Sequence, residues 1–194
     1  VDTIFEIGGQ DSKYLYLRNG VPIDYAMNHA CSAGTGSFLE ESAQSDLGIT
    51  VSDIADLALA APSPVHFKAT CAAFINSDIR LAQQQGHPRD NIIAGLVYAI
   101  AGNYLNRVKG PRYVGKKIFL QGGVALNRAV GYAFAHSVGR QVVIPPSPEL
   151  LGALGVGLLA LKRAEAMLSH TVDLLTLGAP EMKQVGRFTC GACK

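Results

Sequence analysis

Asn28-His29-Ala30-Cys31-Ser32-Ala33-Gly34-Thr35-Gly36-Ser37-Phe38-Leu39-Glu40 is the stretch around which the rest of the chain is read. A cysteine stands three residues before a Gly-Thr-Gly turn, and the turn opens a helix. Unbonded N–H groups at a helix start suit an anion, and glycines at Gly34 and Gly36 let a phosphate come close. The same helix end favours a thiolate at Cys31. One junction thus offers a nucleotide site on one side and a metal site on the other.

Working outward, Thr3 to Ile7 reads as a short apolar strand running into Gly8-Gly9. Ser12 to Arg18 alternates, Asn19-Gly20 is a hairpin signal, and Val21 to Met27 returns as a third strand. Gly36 to Leu47 is predicted helical, with Phe38, Leu39, Ala43 and Leu47 on one side and Gly48 ending it. Ser52 is the expected cap of a helix through Ala60. A helix follows Cys71 to about Gln85. A longer one starts at Pro88, with Ile92, Ile93, Leu96, Val97, Ile100, Tyr104 and Val108 at helical spacing. Ile118 to Leu120 is a buried-looking strand, Asn127 to Val138 a helix, Gln141 to Ile144 a strand, and Leu150 to Leu168 the last helix. Three antiparallel strands followed by alternating helices and strands predict an α/β fold. Its core would be a mixed five-stranded sheet with helices on both faces. The expected division is a lobe over 1–168 and a tail over 169–194 that carries Cys190-x-x-Cys193.

Composition narrows the function. The chain has 194 residues, 48% hydrophobic and 16% charged, enough for a sizeable core. A net charge of +2, from 17 basic and 15 acidic side chains, gives no nucleic-acid footprint. The longest uncharged apolar run, Leu150 to Leu161, has 12 residues against about 20 for a membrane span. Four cysteines in a chain this long do not resemble a secreted disulfide scaffold, so a cytoplasmic setting is expected. Both ends read as cuts through a longer polypeptide.

Three glycine turns each follow a strand: Gly8-Gly9-Gln10-Asp11, Gly34-Thr35-Gly36 and Gly122-Gly123-Val124-Ala125. Ligands of α/β sheets gather at the carboxyl ends of strands, so three such turns at one edge read as a nucleotide cradle. Neither G-x-G-x-x-G nor a Walker A sequence occurs. Glu6, Gln10 and Asp11 supply the first turn's chemistry. A carboxylate there can hold Mg²⁺ through water, and an amide can orient an attacking water. The plainer alternative is that Asp11 caps a turn and Glu6 is solvated on an edge strand. Tyr14, Tyr16 and Tyr25 read as sheet packing, and His66 and Lys68 as solvated loop residues.

Cys31 and Cys71 have no C-x-x-C partner. They are either small buried hydrophobes or thiolates at helix starts. Two thiolates fall short of the roughly four that a four-iron cluster needs. The others would come from Cys190 and Cys193 or from a second copy of the chain.

Four motifs in order carry a resemblance: Glu6-Ile-Gly-Gly-Gln-Asp-Ser-Lys13, Asn28 to Glu41, Thr70-Cys-Ala-Ala-Phe74 and Gln121-Gly-Gly-Val-Ala-Leu-Asn127. Over about Thr3 to Ala164 the chain resembles the BadF/BadG/BcrA/BcrD ATPase family. Within it the chain looks most like the activators of 2-hydroxyacyl-CoA dehydratases, the CoA-substrate-specific enzyme activases. Glu6 and the tail through Cys193 resemble the large multi-domain branch. The resemblance implies an actin-like, ribonuclease-H-like fold of two lobes with ATP or ADP and Mg²⁺ between them. This chain would be the second lobe. Gly8 to Asp11 would face the terminal phosphates, Gly122 to Val124 the adenosine, and Gly34, Thr35, Gly36 and Asn127 would complete the binding set. It further implies a homodimer around one [4Fe–4S] cluster held by Cys31 and Cys71 of each subunit.

On that reading, ATP hydrolysis drives a low-potential electron from a ferredoxin- or flavodoxin-type donor into a partner. The partner is a 2-hydroxyacyl-CoA dehydratase or another CoA-substrate reductase of the benzoyl-CoA reductase type. Residues 1–194 alone, without the opposing lobe, are expected to show negligible turnover. The rivals are a sugar or acetamido-sugar kinase of the same superfamily and a non-catalytic nucleotide- or cluster-binding domain.

Overall fold

The computed structural model describes residues 1–28, 34–68 and 72–166. The chain divides into two compact units, Val1–Gly155 and Val156–Lys194. The expected tail over 169–194 lies outside the described residues.

In the first unit, β1 (Thr3–Ile7), β2 (Ser12–Arg18) and β3 (Val21–Met27) form an antiparallel meander. The β2–β3 turn is set by Asn19 and Gly20, at φ 52° and 79°, the two left-handed positions that a tight hairpin needs. β4 (Ile118–Gln121) runs parallel to β1, and β5 (Val142–Val143) parallel to β4. The resulting five-stranded order is β3-β2-β1-β4-β5. β1 is therefore central, and the turn after it lies in the middle of the sheet's edge.

Six helices follow the residues predicted for them, with informative differences. α1 (Gly36–Leu47) ends at Gly48, φ 60°, whose N–H bonds to the Gln44 carbonyl while that of Ile49 reaches Ala43. α2 (Val51–Ala60) is entered from Thr50 rather than Ser52. The Thr50 hydroxyl donates to Asp53 Oδ2 at 2.7 Å, and Asp53 N–H returns to the Thr50 carbonyl at 3.0 Å. α3 is Ala72–Gln84.

α4 (Arg89–Asn103) is buried on nearly every side rather than along one stripe. Small residues make that possible. A Cβ on Gly95 would stand 2.2 Å from the Val65 carbonyl oxygen, so the 61–68 loop lies directly on the helix. The predicted continuation through Val108 becomes a π-helical turn, Tyr104–Lys109, in which Tyr104 and Val108 stay buried. α5 is Arg128–Val138 and α6 Leu151–Ala166. In the second unit the described residues are 156–166 of α6, where Val156, Leu158, Leu159 and Leu161 are exposed. No helix among the described residues is long and apolar enough to cross a membrane.

The core sits on the sheet face that carries Phe5, Ile7, Tyr14, Ile118 and Leu120, all fully buried. Phe5, Tyr104 and Phe134 form a triangle of rings with centroids 5.2, 5.7 and 5.3 Å apart. The Tyr104 hydroxyl donates to the Lys13 carbonyl at 2.7 Å, and that of Tyr14 donates to the Tyr113 carbonyl. Burial pushes the Tyr14 hydroxyl up to about 12 and that of Tyr104 well above its ordinary value. The other face carries Ile4, Leu15, Leu17 and Phe119, only half-buried. Tyr25, expected to pack, is 53% exposed because β3 is the sheet's edge and its outer side chains Val21, Ile23 and Tyr25 face outward.

Phe134→Ala empties one corner of the ring triangle. Its expected cost is about 3–5 kcal/mol, measured by denaturant unfolding followed by tyrosine fluorescence.

Candidate functional site

The site is built at the carboxyl end of β1. Ile7 pairs with Ser12 to close the first turn, and the Gly8 N–H bonds to the Asp11 carbonyl at 2.8 Å. The Gly8 and Gly9 carbonyls accept from the first two amides of α1, Gly36 at 2.9 Å and Ser37 at 2.7 Å. Two of the N–H groups that sequence reasoning offered to an anion are therefore spent in fixing the first turn to the helix.

Gly36 stands where all three glycine turns meet. A Cβ there would lie 2.9 Å from Val124 Cγ2 and 3.2 Å from both the Gly8 carbonyl oxygen and Gly9 Cα. Gly122 is held as tightly. At φ 92° its N–H bonds to the Pro148 carbonyl at 2.9 Å, and a Cβ would fall 2.3 Å from the Ile7 carbonyl oxygen. Gly123 then starts a 3-10 turn through Leu126, and Asn127 caps α5. The Asn127 side-chain oxygen accepts from Ala129 N–H at 3.0 Å and Val130 N–H at 3.4 Å.

Together these turns border a cleft of about 410 Å³. Gly9, Gly36, Gly123, Val124 and Asn127, all binding candidates in the sequence, line it. Glu40, Ser52 and Leu126 line it too and were not foreseen. Glu40 was legible in principle, since it follows Gly36 by four residues and so shares its helix face. Leu126 and Val51 are 62% and 52% exposed, an apolar wall left open beside polar groups. That mixture suits a flat heteroaromatic ring attached to a hydroxylated sugar. Gly34, at φ 78°, and Thr35 are buried and do not line it.

Glu6 lies on the central strand, not on an edge. Its register partners are Lys13 on β2 and Gln121 on β4. Lys13 Nζ donates to Oε1 at 3.0 Å and Gln121 Nε2 to Oε2 at 2.9 Å, so both carboxylate oxygens are engaged. The hydrogen bond to Glu6 raises the Lys13 ammonium's pKa against the opposing effect of burial, with the Glu6 and Asp11 charges adding to the rise. Gln10 and Asp11 are exposed at the turn's tip. His66 and Lys68 are exposed loop residues.

Cys31, Cys71, Cys190 and Cys193 lie outside the described residues. Among the described residues no group of three or more His, Cys, Asp or Glu is placed to hold a metal ion.

The model of the BadF/BadG/BcrA/BcrD ATPase family matches residues 1–160. The (R)-2-hydroxyglutaryl-CoA dehydratase activating ATPase of Acidaminococcus fermentans is 35% identical over 164 residues, 84% of this chain and 62% of that protein. The crystal structure of the A. fermentans (R)-2-hydroxyglutaryl-CoA dehydratase component A superposes with a TM-score of 0.79 at 33% identity, covering 85% of this chain and 63% of that one. The activator of 2-hydroxyisocaproyl-CoA dehydratase from Clostridium difficile, with bound ADPNP, gives 0.77 at 29% identity, covering 89% and 65%. The chain thus spans a little under two thirds of each. The likeness fixes the fold as that of actin-like activator ATPases.

Gly122→Ala forces a side chain into left-handed backbone and against the end of β1. The expected loss exceeds about 1–3 kcal/mol. Gly123→Ala, where an added Cβ meets nothing within 4 Å, is expected to change stability by less than about 0.5 kcal/mol. Parallel thermal melts of the two variants measure the contrast.

Proposed function

The chain belongs to the BadF/BadG/BcrA/BcrD ATPase family, and from that premise we propose that it is the second lobe of an ATP-dependent reductive activator. The observation that carries this reading is the meeting of three glycine turns on one half-apolar cleft. Leu126, Val51 and Val124 give an adenine ring an apolar bed, and Ser52 and Glu40 offer hydrogen-bond partners to ribose hydroxyls. From there the phosphate chain would run toward Gly8–Asp11, where glycine permits close approach. Asp11, exposed at the turn, would hold Mg²⁺ through water, and Gln10 would orient the water that attacks the terminal phosphorus. Hydrolysis consumes ATP and water and releases ADP and phosphate.

Glu6 enters this scheme differently from Asp11. With both oxygens engaged by Lys13 and Gln121, it fixes the charge behind the turn rather than meeting the nucleotide as a free base. Its counter-charge keeps Lys13 protonated beside the phosphate end, where an ammonium favours an anion.

The resemblance assigns Cys31 and Cys71, from each of two subunits, to a shared [4Fe–4S] cluster. When bound, that cluster supplies a one-electron carrier of low potential. On this reading the partner is a 2-hydroxyacyl-CoA dehydratase-type or benzoyl-CoA reductase-type enzyme, and the donor a ferredoxin or flavodoxin.

The intact protein, purified without oxygen and reconstituted with iron and sulfide, is expected to be a brown dimer that hydrolyses ATP. Cys31→Ala should be colourless and still bind nucleotide. Colourless wild-type protein after reconstitution, or ATP turnover that depends on an added sugar, refutes the reading. Absorbance near 400 nm, size-exclusion chromatography and phosphate release measure it.

A further inference from the structure

Ser12 follows the Gly8–Asp11 turn directly and is fully buried. All three of its polar groups are committed to residues far along the chain. Its N–H donates to Asn28 Oδ1 at 2.8 Å, and its carbonyl accepts from the Asn28 N–H at 3.0 Å. Its hydroxyl donates to the Gly34 carbonyl at 2.5 Å. Asn28 and Gly34 are the described residues on either side of 29–33, the span that includes Cys31. One serine therefore holds both ends of that connection.

The grip has two further anchors. Asn28 Nδ2 also donates to the Gln10 carbonyl at 3.1 Å, which ties the same residue to the tip of the glycine turn. Gly34, for its part, is wedged against the π-helical turn: a Cβ there would lie 2.9 Å from both Cα and N of Tyr104. A change at Gly8–Asp11 has a short, hydrogen-bonded route to Asn28 and Gly34, of which the Ser12–Gly34 step is buried. A satisfied buried hydrogen bond such as Ser12–Gly34 stiffens what it joins, so displacement of Ser12 is passed on to Gly34.

We propose that Ser12 is a positioning residue, a buried clasp that couples the phosphate-facing turn Gly8–Asp11 to the 28–34 connection. A nucleotide at the turn changes how firmly Asn28 and Gly34 are held. The coupling half of this inference rests on the ATP-site reading above, whereas the clasp itself does not.

Hydrogen exchange of peptides spanning 28–36 in the intact protein, with and without ADPNP and Mg²⁺, separates the two halves. In wild type the analogue is expected to slow exchange in these peptides. In Ser12→Ala, basal exchange there should rise about 10-fold or more. The analogue's effect on 28–36 should vanish while its Kd moves by less than about threefold, because Ser12 makes no contact in the cleft. Asn28→Ala, which removes one end of the clasp and leaves the serine, should lose the same response and stands in if Ser12→Ala does not fold.

Unchanged basal exchange in both variants overturns the clasp and leaves the ATP reading untouched. Faster exchange with the analogue's response intact overturns the coupling, since a merely structural serine behaves that way. A Kd that weakens in step with exchange also overturns it, by placing Ser12 in the binding site. Wild-type protein that fails to bind the analogue overturns the ATP reading and the coupling with it, and basal exchange still decides the clasp.

Discussion

Two backbone hydrogen bonds, from the Gly36 and Ser37 amides to the Gly8 and Gly9 carbonyls, join the first turn of the sheet to the first helix. They satisfy donors that a helix start otherwise leaves to solvent, and they do so with carbonyls from a segment nearly thirty residues away. The price is steric. The backbones must approach so closely that Gly36 can bear no side chain without meeting Val124 or the first turn. The turn after Gly122, held against the end of β1, and the exposed Leu126 border the same cleft as Gly36.

The sheet is held to its helices by an aromatic centre that also orients polar groups. Tyr104 touches Phe5 and Phe134 with its ring and reaches the Lys13 carbonyl with its hydroxyl. It begins the π-helical turn, and its backbone abuts Gly34. One residue therefore ties β2, the core and the glycine turn before α1. The π-helical turn thus begins at the residue whose backbone meets Gly34.

Charge around the first turn is arranged in depth. Glu6, Lys13 and Gln121 lie side by side on three adjacent strands, each polar head engaged, while Gln10 and Asp11 project beyond them. The inner carboxylate is committed to its neighbours and the outer one is exposed. Two acidic residues five positions apart thus serve different ends, set by strand register and not by residue type.

Much of this was legible in the residues. Asn19-Gly20 dictated its hairpin because only that backbone closes two strands so tightly, and Gly48 ended α1 for the same stereochemical reason. The three glycine turns were recognisable as neighbours because each follows a strand and such turns gather at one edge of the sheet. What the sequence could not supply was who faces whom. Glu6 looked like a solvated edge residue or a catalytic one, and only its register between Lys13 and Gln121 revealed both oxygens as engaged. Tyr25 alternated like a core residue yet lies exposed, because alternation marks a face without saying whether anything covers it. The amides of Gly36 and Ser37 looked free for an anion until the Gly8 and Gly9 carbonyls were found against them. Local backbone preference is written into each residue and its neighbours, so turns, caps and strands are fixed by the sequence itself. Contacts across the chain depend on how those elements meet, and the commitments of Glu6, Ser12 and the α1 amides were decided only by that meeting.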